Sequence, residues 1–181
     1  MTVLLRSDNA DTRMHAMDAA TKLDLAGREL RAALVDALNG VGTEDAQGTA
    51  FLYRIAGRWN FAYVRRGNER WWPDRGMSRP KNEIHYLFRP KELLLESRPE
   101  FSLPSITDRF VYGSVRKIST DLFDVELHKP AESAAGEIKR FRLSPDGKIL
   151  EIAADAESAP EPTIQVLELV DTDWSEGTSR R

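Results

Sequence analysis

The chain contains no cysteine. That absence excludes disulfides, thiolate metal sites, iron–sulfur clusters and cysteine nucleophiles together. It also fits a reducing compartment, so the expected location is cytoplasmic. Histidine is nearly as scarce, with three copies: His15, His85 and His128. No apolar run approaches the length of a membrane span, and the opening Val3-Leu4-Leu5 is too short for a signal-peptide core. No membrane association is expected. Glycines do not gather into a phosphate-cradling loop between a strand and a helix, and no serine sits in a nucleophile elbow. Acids are plentiful, at 29 Asp plus Glu, yet nothing singles out an acid–base couple. The sequence therefore offers no catalytic residue and no cofactor site, and the expected function is non-catalytic.

What is present is charge, unevenly placed. From Arg54 to Lys91 ten basic residues face three acids, a segment charge of +7 in a chain whose net charge is -3. From Glu151 to Glu176 there are eight acids and no Lys or Arg. Three of the four tryptophans, Trp59, Trp71 and Trp72, fall inside the basic segment. Such asymmetry speaks about partners, not about fold. Arg and Trp side by side suit an interaction surface, because guanidinium groups fork onto carboxylates or phosphates and indole faces stack. The candidate partner-binding residues are Arg58, Arg65, Arg66, Arg70, Trp71, Trp72, Arg75, Arg79 and Lys81. The plainer alternative is a solvated strand face, partly neutralised by the protein's own acidic C-terminal strand.

At 181 residues, with 41% hydrophobic and 30% charged content, the chain predicts one soluble domain with a substantial core. Residues 1–47 read as an N-terminal helical segment, 48–170 as an antiparallel β domain, and 171–181 as a disordered tail. Met1 to Asn9 reads as a loose lead or a short edge strand. Helix-compatible residues follow from Ala10, with Asp8 or Asn9 as cap. Leu23 to Val41 carries apolar residues at three- and four-residue spacing, the signature of one helix face, with Asp24 as N-cap and Gly40 as stop. Val41 to Gln47 reads as a loop. Phe51 to Ile55 alternates like a strand and pairs, across a Gly57-Arg58 turn, with Trp59 to Arg66. Gly67-Asn68 turns into a short strand through Trp72. Further strands are read at Asn82–Phe88, Glu92–Ser97, Arg109–Ile118, Asp121–His128, Glu137–Leu143, Lys148–Ala154 and Thr163–Val170. In Asp121–His128, Phe123, Val125 and Leu127 are expected to face inward. Ser144-Pro145-Asp146-Gly147 is the strongest turn signal. The expected fold class is α+β, mainly β: an antiparallel up-and-down sheet of roughly nine or ten strands curling into a barrel or half-barrel. The helical segment packs on one end or face of it.

One metal constellation is conceivable. Glu83 and His85, and likewise Glu126 and His128, stand two apart on their strands and so share a face. If those strands were neighbours with these faces inward, four ligands would meet around an ion. Three functions are carried forward. The first is a binding module that docks onto a protein partner or larger complex through the basic Trp/Arg segment at 58–81. The second is a nucleic-acid-binding subunit using the same surface. The third is a calycin-like carrier of a small apolar ligand, a resemblance of architecture alone.

Overall fold

A computed structural model gives the fold and describes residues 1–23, 28–71, 82–99, 105–130, 136–154 and 162–172. Among the described residues four helices come first: α1 (Thr2–Leu5), α2 (Ala10–Leu23), α3 (Arg28–Val41) and α4 (Glu44–Ile55). Nine strands follow: β1 (Gly57–Arg66), β2 (Glu69–Trp71), β3 (Asn82–Phe88), β4 (Glu92–Pro99), β5 (Ser105–Ser119), β6 (Leu122–His128), β7 (Glu137–Leu143), β8 (Ile149–Ala154) and β9 (Ile164–Asp171). Each strand from β3 to β9 pairs antiparallel with the next, and β1 pairs with both β3 and β9. Eight strands thus close into a barrel, and β2 is an extra strand attached to β1. Turn spacing leads to the expectation of a barrel or half-barrel with an N-terminal helical segment; the β1–β9 pairing makes it a closed barrel.

Local signals explain most boundaries. Asn9 caps α2 by accepting the Thr12 amide at 3.0 Å. α3 continues through Gly40 and ends before Gly42, whose φ of 76° needs glycine. The Asp24 cap expected for this helix lies outside the described residues. The β7–β8 turn is held by Ser144, whose Oγ accepts the Ile149 amide at 2.9 Å, and by Gly147 at φ 71°.

Three readings are corrected. Residues 44–47, expected in a loop from Val41 to Gln47, form the first turn of α4. Residues 2–5 form a short helix, not an edge strand. More consequentially, Phe51–Ile55 is the end of α4, not the first strand of a hairpin. Thr43 caps this helix by accepting the Ala46 amide, and Glu44 and Asp45 fill its first turn, where the helix dipole favours acid. Gly57 then opens β1 instead of turning a hairpin. A Cβ there would lie 2.5 Å from the Asp171 carbonyl oxygen, so only glycine allows β9 to end against it.

There are two cores, and α4 belongs to both. The first fills the barrel: Phe51, Leu52 and Ile55 of α4 join Trp59, Phe88, Phe123, Val125, Phe141, Leu150 and Leu167. Phe51 stacks on Phe123 with centroids 4.0 Å apart, and Phe141 meets both Phe51 and Phe88 edge-on. The second lies outside the barrel wall. There Ala46, Ala50, Tyr53 and Ala56 of α4 pack with Ala16, Ala20, Leu34 and Leu38 of α2 and α3 against Leu87 and Leu94. Leu87 and Leu94 are partners across β3 and β4, so helices cover the outer face of that pair. Arg31 locks the arrangement, donating to the carbonyls of Ala56 and Thr172. β6 behaves as expected, with Phe123, Val125 and Leu127 all buried inside.

Candidate docking surface

The basic segment lies on β1 and β2. β1 changes partner along its length. Gly57–Asn60 pairs with β3, whereas Val64–Arg66 pairs with β2. The strand is long enough to serve both, and Gly67 at φ 55° makes the tight return. β2 therefore occupies, beside the second half of β1, the side that β3 occupies beside the first half.

This geometry splits the predicted arginines. Arg58 sits seven residues before Arg65, about 23 Å along an extended strand. It is largely covered and lies 3.6 Å from Glu96. Arg65 faces outward and places Nε and an Nη on Glu151 Oε1 at 3.3 and 2.9 Å. Since Arg65 is on β1 and Glu151 on β8, this bridge spans β9. Arg70 pairs in register with Arg65, is exposed, and holds its guanidinium 4.9 Å from the Tyr63 ring centroid. Arg66 is also exposed, but strand alternation turns it to the opposite face from Arg65. The described candidate arginines are thus not all on one face. Trp71 pairs with Val64. Its side chain, and Trp72, Arg75, Arg79 and Lys81, lie outside the described residues. Trp59 is a core residue, fully buried, donating its indole N–H to the Ile55 carbonyl at 2.8 Å.

The metal constellation is not assembled. β4 and β5 stand between β3 and β6. His85 is buried on the outer wall in register with Asn60 and Glu96, while the side chain of Glu83 is outside the described residues. Glu126 and His128 pair with each other at 3.1 Å. Among the described residues no group of three or more His, Asp or Glu is placed to hold a metal ion.

A feature that sequence reading missed is the outer wall of β5, β6 and β7. Asp124 is buried there, accepting from Arg140 Nε at 2.8 Å and Nη at 3.1 Å, and from an Arg116 Nη at 3.0 Å. These bonds, Arg140's above all, hold its carboxyl below the usual carboxylate range. One step along β6, Glu126 accepts from the Ser114 amide and hydroxyl at 3.1 and 2.9 Å, and these bonds keep it ionised. Gly113 and Gly136 flank the Glu126–His128 pair. A Cβ at either would lie 2.5 Å from the imidazole, so a larger residue at either position would push the imidazole aside. A groove of about 680 Å³ runs from here to the first turns of α4, between Glu44, Gly48 and Thr49 on one side and Ser114, Arg116 and Glu126 on the other. The carboxylate stands between serine and imidazole. Histidine therefore cannot take the Ser114 proton, and the trio does not have the order of a nucleophilic triad.

No protein-family model, curated protein or solved structure matches this chain.

Proposed function

We propose that this protein is a non-catalytic binding module that docks onto a protein partner through the β1–β2 segment. The observation that carries the reading is the exchange of β3 for β2 beside β1, which mounts a basic hairpin with exposed Arg66 and Arg70 on the wall of a closed barrel. Arginine beside tyrosine, as in Arg70 over Tyr63, is a combination that interfaces favour. The barrel interior is occupied by its own aromatic side chains, which weighs against the carrier reading. Of the four candidate arginines among the described residues, Arg58 and Arg65 already face the protein's own carboxylates, which weighs against a polyphosphate partner.

The test is affinity capture with the intact chain and with an Arg66→Glu, Arg70→Glu double variant, both checked for unchanged melting temperature. A protein retained by the first and lost by the second is the expected result. Equal retention, or none, sinks the docking reading. A labelled single-stranded oligonucleotide, followed by polarisation at low and moderate salt, covers the rival. Tight binding that falls steeply with salt would put nucleic acid in the partner's place.

A further inference from the structure

We infer that the cleft between the β5–β6 and β7–β8 turns is a carboxylate-binding site, anchored by Arg142, for an acidic side chain of the docking partner. This deepens the docking reading and rests on it, because Arg65 of the basic segment forms one wall of the same cleft. The cleft holds about 480 Å³, within the range of ligand-sized pockets. Its charged lining is Arg65, Arg142, Asp121 and Glu151, with the hydroxyl residues Ser119 and Thr120 beside them.

The charges do not cancel evenly. Asp121 Oδ1 is taken at 2.9 Å by Arg54, which reaches in from α4. Glu151 Oε1 is taken by Arg65 at 2.9 Å. Arg142 stands in register with Glu151, yet among the described residues it forms no ion pair. It is also exposed. Both acids of the cleft are therefore committed to other arginines, and one guanidinium is left over. A guanidinium left over in a cleft also lined by serine and threonine is suited to a planar, singly charged oxyanion, which it meets with two parallel N–H donors. The carboxylates of Asp121 and Glu151 remain close by. Because Arg65 of the docking segment forms one wall of the cleft, the site is assigned to an acidic side chain of the protein partner and not to a nucleic acid. Sequence reading passed over Arg142 because it lies far outside the basic segment. Only the strand order, β7–β8–β9–β1, brings it to the same wall as Arg65.

The probe is a fluorescein-labelled polyglutamate peptide, with an oligothymidylate carrying the same label in parallel, both read by polarisation at low salt. The intact chain is expected to bind the peptide more tightly than the oligonucleotide. Arg142→Ala should weaken peptide binding about tenfold, the scale of one charge-assisted hydrogen bond. Arg142→Lys should fall between, having charge without the fork. Melting temperature should not move in either variant, since Arg142 is exposed and, among the described residues, forms no ion pair. No peptide binding by the intact chain, equal affinity in Arg142→Ala, or a preference for the oligonucleotide would each overturn the assignment. The two readings fail separately. If the Arg66→Glu, Arg70→Glu variant loses its captured partner while Arg142→Ala keeps full peptide affinity, the cleft assignment is wrong and docking through β1–β2 stands. If capture is indifferent to Arg66 and Arg70 while Arg142→Ala loses the peptide, the cleft binds acids but docking through β1–β2 is wrong.

Discussion

Asp124 shows how much of the outer wall depends on one carboxylate. It is buried, and it gathers Arg116 from β5 and Arg140 from β7 onto a single strand-centre position. Replacing it with asparagine keeps the shape and removes the charge, leaving two guanidinium groups without their shared anion. The expected cost at neutral pH is about 2 kcal/mol, in the range for hydrogen bonds to charged groups, seen as a lower urea midpoint. The pH dependence follows from the direction of the shift. The folded carboxyl titrates below its usual 3.8, so its stabilising contribution is complete above that value and is lost as pH falls through the lower, folded value. The gap between wild type and Asp124→Asn should therefore close below pH 3.8. A gap unchanged across that range would show that charge is not what holds the wall. None of this was legible in the sequence. An acid alternating with Phe123 and Val125 reads as a solvent-facing residue until its cross-strand neighbours are known, and those lie eight residues before and sixteen after it. The inward set on the same strand was legible because burial on one face of a strand leaves a period of two.

α4 is the element that pattern reading missed, and the reason is physical. A helix with one buried face leaves an apolar stripe. α4 buries Phe51, Leu52 and Ile55 in the barrel and Ala46, Ala50, Tyr53 and Ala56 under the other helices, so its apolar residues surround it and the stripe disappears. What remains visible is the local alternation of Phe51, Tyr53 and Ile55, which imitates a strand. The better signal was at the start: Thr43, then Glu44 and Asp45. The helix also carries a glycine where it crosses β5. At Gly48 a Cβ would lie 2.8 Å from the Val115 carbonyl oxygen and 3.0 Å from its Cβ. Gly48→Ala therefore sets two effects against each other. Helix propensity gains about 1 kcal/mol. Forcing α4 away from backbone atoms of β5 costs about 1–3 kcal/mol. Loss should win, with a melting temperature lower by a few degrees, about what 1 kcal/mol gives in a chain of this size. Gly40, in α3, is the internal control. Nothing lies within 4 Å of a Cβ built there, so Gly40→Ala should raise the melting temperature. The same sign in both variants would mean that propensity, not the close approach to Val115, governs position 48.

At the scale of the molecule, a helical segment followed by a run of antiparallel strands was readable, but the coupling between them was not. Turn signals reveal where strands begin, and their regular spacing predicts a meander. Closure depends on β1 meeting β9 across the sequence, and the joining of helices to barrel depends on one helix with two buried faces. Those are long-range facts that no local pattern records. They carry a consequence for unfolding. The helical bundle has no independent core, because Ala46, Ala50, Tyr53 and Ala56 come from the same helix that places Phe51 on Phe123. Withdrawing α4 from the barrel would strip the bundle of one wall and expose Phe123, Phe141 and Ile55 at once. Helices and barrel should therefore melt together. Urea unfolding followed by helical circular dichroism and by near-ultraviolet aromatic signals is expected to give coincident transitions. Phe51→Ala sharpens the test, since truncating a buried phenylalanine costs about 3–5 kcal/mol. If α4 is the link, the variant should shift both transitions by the same amount, although Phe51 touches only the barrel core. If the helical signal keeps its midpoint while the aromatic signal moves, the bundle stands alone and the two cores are separate folding units.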